Sequence, residues 1–234
     1  LIFGLDCDDI IDGIAGDDSS TGGAVDDTFD GGDDTDIAIF AGNQADYTFE
    51  SSTDGLTITI TDTVNNDVDT VTGVETLRFD DGDITVSHDT SLNQLVLTGD
   101  TTGDDITIVG AVPVMVLGAD GNDLISGDDE DDVLEGGMGD DTITGGDGQD
   151  TVVFAGNKGD FTFEVAGDGT LTITDLNTQT ALGVDTISGV ETLRFNDGDL
   201  TVTTAQDGYV TLTGTGADDL SLIHISEPTR RYAI

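Results

Sequence analysis

The sequence has 234 residues, of which 50 are Asp or Glu and only 5 are Lys or Arg, so its formal net charge at pH 7 is -45. This charge excludes a nucleic-acid-binding protein, and because most of the acids are Asp, a poor helix former that favours turns, an all-helical fold is disfavoured as well. High net charge with only 5% aromatic residues is also typical of disorder, so the spacing of the acids must decide whether the chain folds.

The first segment, residues 1–39, is built from a nine-residue repeat and is called block one. Gly or a substitute takes the first position, Asp the sixth and usually an apolar residue the eighth, in units 4–12, 13–21, 22–30 and 31–39. The sixth positions are Asp9, Asp18, Asp27 and Asp36, and Gly22 and Gly31 open the last two units. Cys7, the single Cys, excludes an internal disulfide and is interpreted as a substitution at a glycine position of the repeat.

Residues 40–117, called spacer one, show the alternation of apolar and polar residues that predicts half-buried antiparallel strands. Examples are 47–49, 56–60, 76–79 and 84–86, and Asp81-Gly82 is a hairpin-turn signal. Near the end, residues 95–99 resemble residues 210–214, and residues 103–105 that follow are expected to open the next block of repeats.

Residues 118–153, called block two, return to the nine-residue period without a slip, in units 118–126, 127–135, 136–144 and 145–153. The sixth positions are Asp123, Asp132, Asp141 and Asp150. The glycines at the first, second and fourth positions include Gly118, Gly121, Gly136, Gly137, Gly139, Gly145, Gly146 and Gly148.

Residues 154–219, called spacer two, contain a copy of spacer one followed by what is expected to be the start of another block. The segment 40–86 recurs as 154–202, which indicates an internal duplication. Arg78 and Arg194 stand at matching positions, and we interpret them as partners in internal ion pairs, with either the nearby Glu or the following Asp residues; the alternative is recognition of an anionic ligand.

The last residues, 220–234, differ abruptly in composition and hold two of the five basic residues. Codons can be written for residues 220–230 that resemble the reverse-strand adapter of transposase-made sequencing libraries. We therefore expect this tail to be non-native, the alternative being a native basic tail, and we expect the chain to be a segment of a larger protein.

The nine-residue units resemble the glycine-rich nonapeptide G-G-x-G-x-D-x-U-x of the RTX (repeats-in-toxin, haemolysin-type) calcium-binding family. The resemblance implies that six residues of each unit form a turn and three a short strand, and that two units complete one coil of a parallel β-roll. The expected fold is therefore all-β, with short parallel β-roll blocks alternating with small antiparallel spacer modules.

Stacked turns spaced one strand apart, about 4.8 Å, bring their carboxylates close enough to repel one another unless a cation lies between them. Calcium suits such a site because it takes six to eight oxygen ligands from carboxylates and carbonyls. Two-unit coils stack each unit on the next but one, so each stacked pair is expected to share one Ca²⁺ with carbonyls of the first, second and fourth positions. The expected pairs are Asp9 with Asp27, Asp18 with Asp36, Asp123 with Asp141, and Asp132 with Asp150.

The sites are not expected to be equal. Block two has Gly at most of its fourth positions, whereas block one has Val25 and Asp34 there, and a β-branched residue at positive φ is strained. Block two is therefore expected to bind calcium first. The alternative interpretation, a set of solvated β-turns without metal, leaves the carboxylates of a compact object uncompensated.

Calcium ions are thus the predicted cofactor and partner, and neither nucleic-acid binding nor a membrane span is predicted. Whether the protein binds a surface ligand is left open by the sequence. The sequence contains no clustered His or Cys and no basic residue paired with a nucleophile, so no catalytic site is expected. The resemblance implies export through type I secretion machinery and calcium-driven folding outside the bacterial cell. The alternatives are a stalk of a surface adhesin or surface-layer protein, and a noncatalytic tail of a secreted hydrolase.

Overall fold

The computed structural model describes residues 1–5, 7–177, 182–204, 210–214 and, for the backbone, 223–224. These residues form an all-β structure of three sheets with 13, five and six strands, here called sheets I, II and III. The predicted fold class is confirmed. Within the described residues, no helix has the length and apolar character needed to cross a membrane.

Block one winds as a parallel β-roll whose short strands alternate between sheet I and sheet II. Ile2 pairs with Ser20 in sheet I, and Ile10 pairs with Thr28 in sheet II, so two repeat units complete each coil. The strands are β1 (Ile2–Phe3), β2 (Ile10–Asp12), β3 (Ser19–Thr21), β4 (Thr28–Asp30) and β5 (Ile37–Ile39).

Spacer one begins with a 3₁₀ helix, Gln44–Asp46, and continues with antiparallel strands, as predicted. It also lengthens the roll, because one of its strands lies parallel to β4, with Thr28 opposite Thr70, and the next lies parallel to β5, with Ile37 opposite Thr76. The strands are β6 (Tyr47–Ser51), β7 (Thr57–Asp62), β8 (Val68–Thr72), β9 (Thr76–Arg78), β10 (Asp83–Asp89) and β11 (Gln94–Thr98).

Block two is a second parallel β-roll, shared between sheets I and III. Its first coil starts in residues 94–107, because β11 already pairs in parallel with the next strand of sheet I. Residues 103–105, which are expected to open the block, lie in this coil. The strands are β12 (Asp105–Thr107), β13 (Met115–Asp120), β14 (Leu124–Ser126), β15 (Val133–Met138), β16 (Thr142–Thr144) and β17 (Thr151–Val153).

Spacer two repeats the plan of spacer one, with a 3₁₀ helix at Lys158–Asp160 and two strands that stack in parallel on β16 and β17. The strands are β18 (Phe161–Val165), β19 (Leu171–Asp175), β20 (Val184–Ser188), β21 (Thr192–Phe195), β22 (Gly198–Thr204), β23 (Val210–Gly214) and β24 (Ile223–His224). The expected start of a third block, at residues 217–219, lies outside the described residues, as does the predicted non-native tail apart from β24. The segment boundaries stay a prediction, since sheet I continues through all of them.

The eighth position of each repeat unit fills the interior of the roll. In block two Ile125, Leu134, Ile143 and Val152 are essentially completely buried. Block one buries Ile11, Phe29 and the smaller Ser20 and Ala38 at the same positions. Because burial of apolar area stabilises in proportion to its size, block two has the stronger core.

An aromatic cluster lies where each spacer meets its roll. Phe40 stacks on Phe79 with ring centroids 5.4 Å apart, and Tyr47 packs against both rings. In spacer two Phe154 stacks on Phe195 at 5.1 Å, with Phe161 packed against both. These clusters give each spacer an apolar anchor that does not depend on the Asp-bearing turns.

Candidate metal centre

The sixth-position aspartates form hydrogen-bonded ladders along the turns of both rolls. In each step, the main-chain N–H of one residue donates to a carboxylate oxygen of the residue stacked above it, over 2.8 to 3.1 Å. The donor–acceptor steps are Asp9–Asp27, Asp27–Asp69, Asp18–Asp36, Asp36–Glu75, Asp104–Asp123, Asp123–Asp141, Asp141–Asp185, Val114–Asp132, Asp132–Asp150 and Asp150–Glu191.

The structure therefore brings together all four predicted aspartate pairs, and each pair lies on consecutive coils of one roll. Asp123, Asp132, Asp141 and Asp150 are all buried, as are Asp27 and Asp36. Asp9 and Asp18 are only partly buried, since they lie in the first turn of their ladders. Stacking is an observation, whereas shared calcium ligation by these pairs stays a prediction.

One oxygen of several ladder carboxylates has no partner. The first oxygen, Oδ1, accepts the N–H from the turn below, but Oδ2 of Asp36, Asp123, Asp141 and Asp150 is buried without a hydrogen bond. A buried charged oxygen without a partner strongly disfavours the folded state. These four atoms are where a cation would give the greatest stabilisation.

The first-position glycines hold the space beside these oxygens. A β-carbon at Gly118 would clash with Oδ2 of Asp123, in its own turn, and with the carbonyl oxygen of Gly136, in the turn above. Gly136 and Gly22 are likewise closed in by Oδ2 of Asp141 and Asp27. The following glycines share this position: Gly145, Gly31 and Gly127.

The second- and fourth-position glycines allow a close approach of carbonyl oxygens from the turn below. Gly139 has φ +128°, and a β-carbon there would clash with the carbonyl oxygen of Gly121; Gly137, at φ +108°, faces the carbonyl of Ala119 in the same way. Gly146, Gly148 and Gly121 also have positive φ and face carbonyls of Asp128, Glu130 and Thr102. Since L side chains avoid this conformation, glycine is required for the close approach of the turns.

The donor set fits calcium. Beside Gly118, Gly31 and Gly145, a carbonyl oxygen of the neighbouring turn and an unpartnered carboxylate oxygen approach one point, and Ca²⁺ prefers such hard oxygen ligands. In the described part of the chain, no three His, Cys, Asp or Glu side chains cluster tightly enough to hold a metal by themselves. Main-chain carbonyls must therefore supply part of any site, which suits calcium and does not suit zinc.

Burial also changes the acidity of the ladder. Burial, with a smaller contribution from neighbouring carboxylates, raises the pKa of Asp123 and Asp150 to about 7 and that of Asp132 to about 6. The pKa of Asp141 and that of Asp27 are raised for the same reason. Without a cation, the folded turns therefore favour protonated carboxyls, and a divalent ion would compete with those protons.

The turns differ between the two blocks as the sequence indicates. Val25 has φ +77° and Asp34 φ +82° at fourth positions of block one, where Gly139 and Gly148 of block two adopt positive φ without strain. That block two binds calcium first stays a prediction.

Five acidic residues of the ladders were not predicted as site residues from the sequence: Asp69, Glu75, Asp104, Asp185 and Glu191. Burial raises the pKa of Asp69 to about 6 and that of Asp185 to about 7, as it does for the predicted aspartates. A signal was present, because Asp69-Thr70-Val71-Thr72 repeats the order of the sixth to ninth positions of a unit. Asp104 differs, since Gln44 donates to its Oδ1 over 2.7 Å and Asp100 to its Oδ2 over 2.8 Å.

The two arginines form the ion pairs that were favoured over ligand recognition. Arg78 pairs with Asp83, with Nη2 and Oδ2 2.7 Å apart and Nε and Oδ1 2.9 Å apart. In spacer two, Nε of Arg194 lies 3.8 Å from Oδ1 of Asp199, which stands at the position matching Asp83. Both pairs are exposed, so each contributes about 1 kcal/mol or less to stability.

Comparison with known proteins identifies the repeats of block two. Residues 117–152 match the family model described as "RTX calcium-binding nonapeptide repeat (4 copies)". A search of curated proteins found no match. Among solved structures, the chain is similar to the extracellular lipase LipA from Serratia marcescens, at 18% identity and a TM-score of 0.33, over 80% of this chain and 36% of the lipase chain.

Proposed function

We propose that this chain, whose residues 117–152 are RTX repeats that bind Ca²⁺, uses calcium binding at its stacked turns to drive its own folding. The observation that carries the proposal is the set of buried Oδ2 atoms of Asp36, Asp123, Asp141 and Asp150 that lack a partner. Beside three of them, those of Asp36, Asp123 and Asp150, the first-position glycine has no β-carbon and so leaves room for a carbonyl oxygen of the neighbouring turn.

The sites consist of the sixth-position carboxylates and of carbonyls of the first, second and fourth positions. When bound, calcium supplies positive charge that neutralises the buried carboxylates. An ion that binds only the folded state stabilises it by mass action, and the unfolded chain has no preformed site. Dissociation constants on the order of 10⁻⁴ to 10⁻³ M, as in extracellular calcium modules, suit such a switch.

The setting we propose is a secreted bacterial protein, exported unfolded by type I machinery and folded where calcium is abundant, with no catalytic role for this segment. RTX repeats support this setting, and so does the net charge of -45, which opposes compaction until cations are bound.

A second candidate is a structural stalk of a surface adhesin or surface-layer protein. One observation favours it: the duplicated spacers continue the strands of both rolls, so blocks and spacers form one elongated array of neighbour contacts. In this role calcium would stiffen the stalk rather than only complete its folding.

Far-UV circular dichroism during a calcium titration of the metal-free chain tests the folding proposal, with magnesium as the control ion. We expect a cooperative transition to β structure with calcium and none with magnesium at equal concentration, because Mg²⁺ demands a smaller, octahedral site. An unchanged β spectrum in chelator would contradict the proposal and would leave the nonapeptides as solvated turns.

A further inference from the structure

We propose that each spacer completes an additional cation site at the end of the block before it, with Glu75 closing over Asp36 and Glu191 closing over Asp150. This inference rests on the calcium-binding function proposed above and extends it to residues outside the nonapeptides. The ligand class is the same, a hard divalent cation held by carboxylate and carbonyl oxygens.

The two glutamates take the place of the next sixth-position aspartate. The N–H of Asp36 donates to Oε2 of Glu75 over 2.8 Å, and the N–H of Asp150 donates to Oε2 of Glu191 over 3.0 Å. In return, the N–H of each Glu donates over 3.2 Å to the carbonyl oxygen of the Asp beneath it. Each glutamate is thus held over its aspartate by hydrogen bonds in both directions.

A spacer glycine supplies the carbonyl that a first-position glycine supplies inside the blocks. A β-carbon at Gly31 would clash with the carbonyl oxygen of Gly73 and would lie 2.7 Å from Oδ2 of Asp36. A β-carbon at Gly145 would clash with the carbonyl oxygen of Gly189 and would lie 2.6 Å from Oδ2 of Asp150. Carbonyl and carboxylate oxygens therefore converge on one point at each junction.

The buried Oδ2 atoms of Asp36 and Asp150 are independent evidence for a cation-binding site at each junction. Asp36 is 2% exposed and Asp150 is 0% exposed, and Oδ2 of each is buried without a hydrogen bond. Each of these oxygens lies beside the first-position glycine of its own turn, at the point that a carbonyl oxygen of the spacer also approaches.

The turn geometry explains why the acid is Glu. Only one residue separates Gly73 from Glu75, and likewise Gly189 from Glu191, whereas four residues separate Gly from Asp in a nonapeptide. Both spacer glycines have φ +61°, which allows this abrupt turn. The extra methylene of Glu lets its carboxylate reach the ladder from the shortened turn.

The competing explanation is that each glutamate only accepts an N–H at the end of its ladder. Glu75→Gln and Glu191→Gln separate the two explanations, because a Gln side-chain oxygen still accepts the N–H but carries no charge. Glu50→Gln and Glu164→Gln are matched controls, since these two glutamates are exposed and occupy equivalent positions of the same spacers.

The experiment is equilibrium dialysis of the full chain against radioactive calcium, with far-UV circular dichroism of each variant at saturating calcium as a check of folding. We expect each of E75Q and E191Q to bind one ion fewer per molecule, or to bind one ion at least tenfold more weakly, and the double variant to show both losses. E50Q and E164Q are expected to match the parent.

Unchanged stoichiometry and affinity in E75Q and E191Q would overturn the junction sites while leaving the nonapeptide sites intact. If the parent chain bound no calcium at all, the proposed function itself would fail. If either variant failed to fold even in saturating calcium, the same dialysis would be run on Glu75→Asp and Glu191→Asp, which keep the charge on a side chain one methylene too short to reach the ladder. Loss of one ion, or at least tenfold weaker binding of one ion, would support the junction sites, and binding equal to that of the parent would overturn them.

Discussion

The main-chain N–H of Asp132 donates to Oδ1 of Asp150, one coil further along the roll, over 2.9 Å, and the other carboxylate oxygen of Asp150 is left buried with no partner. One side chain therefore has a structural oxygen that fixes the stacking of two turns and a second oxygen that is stabilised only by a cation or a proton. The two roles can be separated by substitution.

Asp150→Asn keeps an acceptor for Asp132 and removes the negative charge. We expect the calcium concentration at the midpoint of folding to rise about tenfold or more, equivalent to about 1.4 kcal/mol or more of lost binding free energy. In chelator the same variant should be at least as folded as the parent, because a buried charge is gone. Asp147→Asn, exposed in the same unit, is the control, and an equal shift in both variants would argue against a local site.

Gly139→Ala should disrupt a turn that has no space for a side chain. Residue 139 has φ +128°, and a β-carbon there would clash with the carbonyl oxygen of Gly121. We therefore expect the free energy of unfolding in calcium to fall by about 1 to 3 kcal/mol. Gly159→Ala is the matched control, because nothing lies within 4 Å of a β-carbon there and its φ is not positive. Urea denaturation in saturating calcium measures both, and equal effects would refute the steric argument.

Val25→Gly should stabilise block one. Val25 is a β-branched residue at φ +77° in a fourth position, a conformation that costs an L residue roughly 1 to 2 kcal/mol. Glycine also makes the unfolded chain more flexible, which offsets part of this benefit. We therefore expect the free energy of unfolding to rise by about 1 kcal/mol and the calcium concentration at the midpoint of folding to fall. A decrease in stability would mean that the strain is absent or that the side chain contributes packing of equal size.

The pH dependence of the calcium-free fold should run opposite to that of calcium binding. Burial raises the folded pKa of Asp123 and Asp150 to about 7, and that of Asp132 to about 6, from about 3.9 in the unfolded chain. Between pH 4 and pH 7 these carboxyls bind more protons in the folded state than in the unfolded chain. Their contribution to stability is therefore fully present near pH 4 and below, and it is lost as the pH rises through about 6 to 7. Circular dichroism of metal-free protein should therefore show more β structure at pH 5 than at pH 8.

Calcium binding should tighten over the same rise in pH, because the ion must displace the protons of these carboxyls. Asp150→Asn removes one titrating group and should reduce both slopes. Less β structure at pH 5 than at pH 8 without metal would show that other groups dominate the titration.

The sequence predicted the ladders inside each block because the nine-residue period places sixth positions of alternate units in one stack. It did not reveal that the ladders end on the spacers. The hairpin formed by β6 and β7 separates Asp27 from Asp69 along the chain, and the shortened turn places Glu75 only six residues beyond Asp69. A search for one fixed period therefore stops one coil too early, although the order of residues 69–72 repeats that of a unit.

Sheet I passes from block one through spacer one into block two and spacer two without a break, with β5, β9, β10, β11 and β13 as successive neighbours. The chain leaves each block and enters the next in the same sheet, so the hydrogen bonding between neighbouring strands continues from one module to the next. Unequal crossing-over between the two duplicated spacers would then delete or add one block together with one spacer. We expect the strands of the shortened or lengthened array to keep the same pairing.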